Sequence, residues 1–343
     1  MSFLTLYFFI VGINNYNSIK LSKIEKINLE KIDTLEYINK HLYAKNFNKI
    51  FYNITKFKSE LKNFSWMQKQ NEIQKDIDIS NREFTTLINK MSKNNYDLDQ
   101  VSFTKTVPSF FVEELPEDIS YIQDINKKKR LFISIVLPLI VEANNEIISK
   151  RRRLIQLHDK LEESKTLSLN EHNWLINLAT EYSIEIKYVH KITIAKNLLR
   201  YIDIIPNSIA IAQAAKESGW GTSRFAKEGN ALFGQWTYDN SQGLLPSERQ
   251  NGEAHLVRSF VTLKESVNSY MKNINSHKAY DSFRNKRSEL RKNNQFLDPT
   301  ILVNELSSYA ELPEYTDILK KIIKTNKLYI FDNIKLVNEH SLV

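Results

Sequence analysis

The chain has 343 residues, 42% hydrophobic and 26% charged, enough for one large globular domain or two ordinary ones with a sizeable core. It has no cysteine, which excludes disulfides, thiolate nucleophiles and cysteine-built zinc sites, and its seven histidines lack metal-binding spacing, so no metal or cofactor is expected. The net charge of +8 suits an anionic partner, but Lys, Asn and Ile are abundant throughout and no nucleic-acid motif accompanies them, so nucleic acid is not expected to be that partner.

Residues 1–19 carry no charge, and Phe3 to Ile13 is apolar apart from Thr5. The segment is short for a membrane span and lacks a basic start and a small-residue cleavage site. It reads as a leader or short membrane anchor, or else as a buried terminal strand or helix. Residues 20–105 read as an all-helical region of unassigned role, with apolar residues at three- and four-residue spacing. Asn94 to Asp99 marks a turn. Val107-Pro108 and Leu115-Pro116 bracket an extended segment, since a residue before proline avoids the helical region. A long helix is predicted from about Tyr121 to Leu161, kinked or split at Pro138. Its basic run, Lys150 to Arg153, reads as a solvated face. Residues 106–165 thus form a long helix and linker, ahead of a domain over 166–343.

That domain opens with amphipathic helices over Leu167–Ile184 and Ile192–Ile204. Pro206 breaks the pattern, and Asn207 or Ser208 is placed to cap the next helix. This helix, Ile209 to about Ser218, is alanine-rich and leads into an irregular region. All the glycines but Gly12 fall between Gly219 and Gly252. Glycine gathers where the backbone needs positive φ or where something approaches closely. Glu217 stands at the entrance, in the last helical turn and just before Trp220, with Gln213 one turn back on the same face. A carboxylate there opposes the helix dipole, and burial beside an aromatic ring adds to the preference for the neutral acid. A carboxyl still protonated near neutral pH is what a general acid requires. The plainer reading is an exposed glutamate at a helix end.

Further on, Ser247–Gln250 and Glu253–Phe260 flank Asn251-Gly252, a strong hairpin signal, so a small β-ribbon is expected with Glu248 upon it. Thr262 to Glu265 forms a capping box. Asp298-Pro299 starts another helix, with aspartate as its cap. Tyr309 and Tyr315 then bracket Pro313.

AQAAKESGWGTSRFA, GNALFGQW, the ribbon ending in VRSF, and YAELPEY together resemble the glucosaminidase domain of glycoside hydrolase family 73. The stretch from VPSFFVEELPED to RRRL further resembles its bacterial Bax-like branch. The resemblance covers about Val107 to Ile323. It implies a lysozyme-like α+β fold, predominantly helical, with a small β-ribbon lobe. It also implies an enzyme of the periplasm or cell envelope that cuts peptidoglycan glycan strands after N-acetylglucosamine; the apolar N-terminal segment, outside the resemblance, is what would associate it with the inner membrane. The family's catalytic glutamate falls on Glu217, its second carboxylate on Glu248, and the tyrosine of its Tyr-Ala-Thr-Asp pattern on Tyr309. The chain departs from that pattern in having Glu311-Leu312 where Thr-Asp is usual.

On this reading Glu217 is the general acid. Glu248 is the base that activates water, an electrostatic partner, or dispensable if the substrate's own N-acetyl group attacks. Gln213, Trp220, Phe233, Trp236, Tyr309 and Tyr315 are the expected substrate contacts, with core packing the alternative for each tryptophan. A lytic transglycosylase and a catalytically silent wall-binding scaffold are the competing functions.

Overall fold

The computed structural model describes residues 86–239, 241, 243–245, 256–310 and 312–337. They fall within one compact unit, Lys75–Val343. The expected anchor and most of the expected N-terminal helical region, with Glu248, Asn251-Gly252 and Glu311, lie outside the described residues.

Residues 86–93 are helical, followed by α1 (Leu98–Thr104), capped by Asp97, and a short strand β1 (Thr106–Val107). The core is organised on α2 (Ile125–Glu162), whose first amides are capped by Asp124. By length and composition alone this helix would suit a membrane. Instead its apolar stretch, including Phe132, Ile135, Val136, Leu137, Leu139 and Ile140, is fully buried among the helices around it.

Pro138 does not split α2. A proline removes the N–H that would bond the carbonyl four residues back. Here that carbonyl, of Ser134, instead accepts the Tyr96 hydroxyl at 2.7 Å. The basic run is only partly solvated. Arg151 donates to the carbonyls of Leu199 and Ile202, and Arg153 lies over the Trp174 ring, while Arg152 faces solvent. These contacts bind α2 to its neighbours within the folded unit.

Helices α3 (Leu169–Glu181) and α4 (Lys191–Tyr201) follow, α3 opening with a Ser168–Glu171 capping box. Next comes α5 (Asn207–Ser218), the helix that ends at Glu217-Ser218. Neither expected cap caps it. Asn207 is instead bonded to Asn144 of α2 and to the Phe331 carbonyl. The Ser208 N–H and hydroxyl both donate to Asp332, at 2.7 and 2.9 Å, so the helix start is closed by a carboxylate 124 residues away in sequence. Such a negative charge complements the N-terminal end of the helix dipole. Ala210, Ala212, Ala214 and Ala215 are buried, and their small side chains let α2 and later helices pack closely on every side.

After α6 (Arg224–Gly229), strands β2 (Trp236–Thr237), β3 (Gly243–Leu244) and β4 (Leu256–Arg258) form an antiparallel sheet with β4 in the middle. Trp236 pairs with Val257 and Gly243 with Arg258. The described sheet is three-stranded, with Leu256–Arg258 inside the expected arm Glu253–Phe260; the other expected arm, Ser247–Gln250, lies outside the described residues. Only glycine fits at Gly243, because a Cβ there would stand 2.5 Å from Leu256 Cβ.

Helices α7 (Leu263–Ser276), α8 (Asp281–Lys292), α9 (Pro299–Leu302) and α10 (Tyr315–Thr325) complete the helical body, with a 3-10 segment Val303–Tyr309 after α9. Thr262 and Asp298 cap α7 and α9 as expected, although Glu265 reaches the Val261 N–H rather than that of Thr262. A last strand, β5 (Lys335–Leu336), pairs in parallel with β1. The predominantly helical α+β class thus holds for the described residues.

The helical body also holds a buried polar knot. Arg287 is fully buried and donates to the carbonyls of Arg200, Tyr201, Asp203 and Ile204 and to Asn275 Oδ1. Asp203, 2% exposed, takes two bonds of 2.9 Å from Arg291. Burial pushes the Asp203 carboxyl up, but the Arg291 bonds and the charges of Arg287 and Arg151 outweigh it and hold the group below its ordinary value.

Candidate active site

Gly219 terminates α5 with φ of +59° and is followed by Trp220 at +59° and Gly221 at +81°. A bulky residue such as Trp220 enters the left-handed region only under local constraint. Ser218 supplies it: its hydroxyl donates to the Ala214 carbonyl and accepts the Gly221 N–H, while its carbonyl accepts the Ser223 N–H. Gly221 has no room for a side chain, since a Cβ would meet Ile119, Phe132 and Leu115 at 3.1–3.2 Å. This knot holds the end of α5, and hence Glu217, in a fixed position.

Glu217 is half-buried. Its Oε1 accepts the Tyr315 hydroxyl at 2.9 Å. Its Oε2 faces Gly234, where an added Cβ would lie 3.6 Å away. Burial pushes the Glu217 carboxyl above its ordinary value, against the Tyr315 hydrogen bond and the Lys216 charge, which both pull it down. The wall around it is made of tyrosines. Tyr309 stacks on Tyr315 with ring centres 5.6 Å apart, and Tyr280 lies 5.9 Å from Tyr309. The Tyr309 hydroxyl donates to the Phe233 carbonyl, which fixes the segment entering the sheet against this wall.

The expected substrate contacts divide. Gln213 is fully buried, bridging Tyr270 and Tyr315 by hydrogen bonds. Tyr315, at 1% exposure, serves Glu217 through its hydroxyl rather than offering its ring to a ligand. Phe233 is a core side chain, stacked on Tyr270 at 3.9 Å. All three side chains are thus engaged by the protein itself. Trp220 is half-buried and packs edge-on against Phe132, with Lys129 over its ring. Tyr309 is half-buried, and Trp236 is 63% exposed on β2. Tyr270 and Ser218 were not singled out in the sequence. Ser218 lies within the ESGWG motif, whereas Tyr270 sits in an ordinary amphipathic helix with no signal of its own.

A family model named Glucosaminidase, described as mannosyl-glycoprotein endo-beta-N-acetylglucosaminidase, matches residues 192–328, a span that holds Glu217 and its tyrosine wall. This region is a glucosaminidase-family domain. The domain is also similar to Protein bax of Escherichia coli (strain K12), with 33% identity over 183 residues, 53% of this chain and 64% of that protein. The chain thus matches somewhat under two thirds of that relative's length, and the similarity identifies the glucosaminidase domain as Bax-like. The catalytic domain of the autolysin Auto from Listeria monocytogenes is 19% identical, over 52% of this chain and 96% of that one, at a TM-score of 0.30. That score is too low to bear on the argument.

Proposed function

We propose that this chain is a peptidoglycan hydrolase, an endo-β-N-acetylglucosaminidase with Glu217 as its general acid. The observation that carries the reading is the Glu217 carboxyl: half-buried at the end of a pinned helix, raised in pKa by burial, with one oxygen bonded to Tyr315 and the other facing the sheet side of the molecule at Gly234. A carboxyl so raised keeps its proton at higher pH than an ordinary glutamate, which suits protonation of a leaving glycosidic oxygen.

In the reaction, the bond between the anomeric carbon and the leaving oxygen breaks as Glu217 transfers its proton to that oxygen. Water adds to the anomeric carbon, and its proton passes to a base, for which Glu248 is the candidate. Trp236, exposed at the edge of the sheet, offers an apolar face of the kind on which sugar rings stack. Half-buried Tyr309 and Trp220 are further candidates for the cleft wall. The family domain supports a glycan substrate containing N-acetylglucosamine. Peptidoglycan lies outside the cytoplasm, so the working protein belongs in the cell envelope.

Zymography on purified peptidoglycan, followed by mass spectrometry of the fragments, tests this. The native protein should clear the gel and leave reducing N-acetylglucosamine ends, and Glu217→Gln should not. Anhydromuramic ends would make it a transglycosylase. Binding to sacculi without fragment release would make it a scaffold.

A further inference from the structure

A general acid needs a proton and a place to hold it, yet Glu217 ends a chain of buried hydrogen bonds that runs well behind it. Tyr270 Oη lies 2.7 Å from Gln213 Oε1, Gln213 Nε2 lies 3.1 Å from Tyr315 Oη, and Tyr315 Oη lies 2.9 Å from Glu217 Oε1. Tyr270 and Gln213 are fully buried and Tyr315 is 1% exposed. Buried polar atoms depend on the partners they have, and leaving one unpaired is costly.

The chain has a direction. Burial holds the Tyr270 phenol firmly neutral, so it has a single proton to donate. Among the described residues, its acceptor is Gln213 Oε1. In this arrangement the amide has its oxygen toward Tyr270 and its NH2 toward Tyr315. A phenolic oxygen that receives an N–H sends its own proton elsewhere, and for Tyr315 the acceptor is Glu217 Oε1.

We infer that Gln213 and Tyr315 are positioning residues that commit a donated hydrogen bond to Glu217 Oε1, so that the acid carries its transferable proton on Oε2, the oxygen beside Gly234. The inference rests on the acid role proposed for Glu217. A bond donated to Oε1 favours the carboxylate and so opposes burial. The two influences together keep the group able both to hold a proton and to release it. The same bond stabilises the carboxylate formed once the proton has gone. Among the described residues, the other titratable groups facing Glu217 are Lys216 on its own helix and Tyr280 and Tyr309 opposite. Burial raises both phenols, so the tyrosines stay neutral across the range in which a carboxyl titrates.

The test uses Tyr315→Phe, which keeps the ring stacked on Tyr309, and Gln213→Met, which keeps the bulk of the side chain and removes the amide. The Glu217 carboxyl is titrated by 13C NMR in the full, substrate-free chain and assigned by its loss in Glu217→Gln. The pH profile of peptidoglycan clearance is recorded in parallel. In Tyr315→Phe the midpoint should move to higher pH, and the alkaline limb of the activity profile should follow. Gln213→Met should shift both in the same direction by less, and it carries the test alone if circular dichroism shows Tyr315→Phe unfolded. An unmoved midpoint in a folded variant would overturn the inference. A lowered one would do the same, since it would mean that Glu217 donates to Tyr315. A midpoint that rises while the alkaline limb stays still would leave the hydrogen-bond chain standing and overturn the acid role of Glu217.

Discussion

Glu217 and Tyr315 are joined by a 2.9 Å hydrogen bond between the last turn of one buried helix and the first residue of another. The bond fixes the carboxyl, while burial raises its pKa. A group whose folded pKa is raised contributes stability that is complete below its unfolded pKa, near 4.3, and lost as pH rises through the folded value. Glu217→Gln cannot ionise and retains an oxygen to accept from Tyr315. It should lose at least about 100-fold in peptidoglycan clearance, the lower end of what general acid catalysis contributes. Thermal unfolding should show it more stable than the native chain at pH 7, with the gain gone below about pH 4.

Gly234 has φ of +60° beside Glu217 Oε2. A Cβ in that backbone region costs about 1–2 kcal/mol. Gly234→Ala should lower the unfolding free energy measured by denaturant titration by that much. Its clearance rate at a temperature where it stays folded should also fall, because the methyl group would lie in van der Waals contact with Glu217 Oε2 and cover part of it.

The Tyr96 hydroxyl occupies the Ser134 carbonyl that Pro138 leaves without its helical partner. Tyr96→Phe should destabilise the fold by about 1–3 kcal/mol, the cost of an unpaired buried polar group. With Pro138→Ala in the background, the helix regains its own N–H, and the cost of Tyr96→Phe should shrink. A double-mutant cycle by urea unfolding measures the coupling.

Asp203 and its arginines form the opposite case to Glu217. Its carboxyl is held below its ordinary value, so its contribution is present above the unfolded pKa and lost as pH falls through the folded one. Asp203→Asn leaves buried guanidinium groups without their counter-charge and should cost about 3–5 kcal/mol at pH 7. The difference from the native chain should narrow in acid unfolding curves.

Burial pushes Asp332 up to about 6, although both Ser208 bonds pull it down. Its contribution is therefore complete below about pH 4 and lost as pH rises through about 6. Asp332→Asn should flatten the pH dependence of the melting temperature over that interval. Asp332→Ala should cost about 1 kcal/mol more than the asparagine variant, through loss of the helix cap.

Much of this was written locally in the sequence. The clustered glycines marked the irregular region, Gln213 and Glu217 shared a helical face by spacing, and YAELPEY pointed to the tyrosines. What spacing could not give was which way each side chain looks. Phe233, Gln213 and Tyr315 belong to motifs, yet they turn inward, because the cluster of stacked rings and hydrogen bonds they join needs partners from three separate helices and the segment before the sheet. Asp332 as the cap of α5, Tyr96 as the partner of Ser134, and Tyr270 as the start of the chain behind Glu217 are long-range pairings between residues that look ordinary in their own neighbourhoods. The basic run misled for a related reason: an arginine reads as solvated until the carbonyls it will cover are known.

The parallel pairing of Thr106–Val107 with Lys335–Leu336 sets the limits of any working fragment. The family match spans 192–328, but Asn144, which holds Asn207, lies before it, and Phe331 and Asp332, which fasten the head of α5, lie after it. A protein trimmed to the matched span would keep Glu217 while losing the clasp at the far end of its helix, the strand pair and the helix underneath. Trimming experiments should therefore begin before Tyr96 and end after Leu336, because the lever that carries Glu217 is anchored outside the part that resemblance alone would preserve.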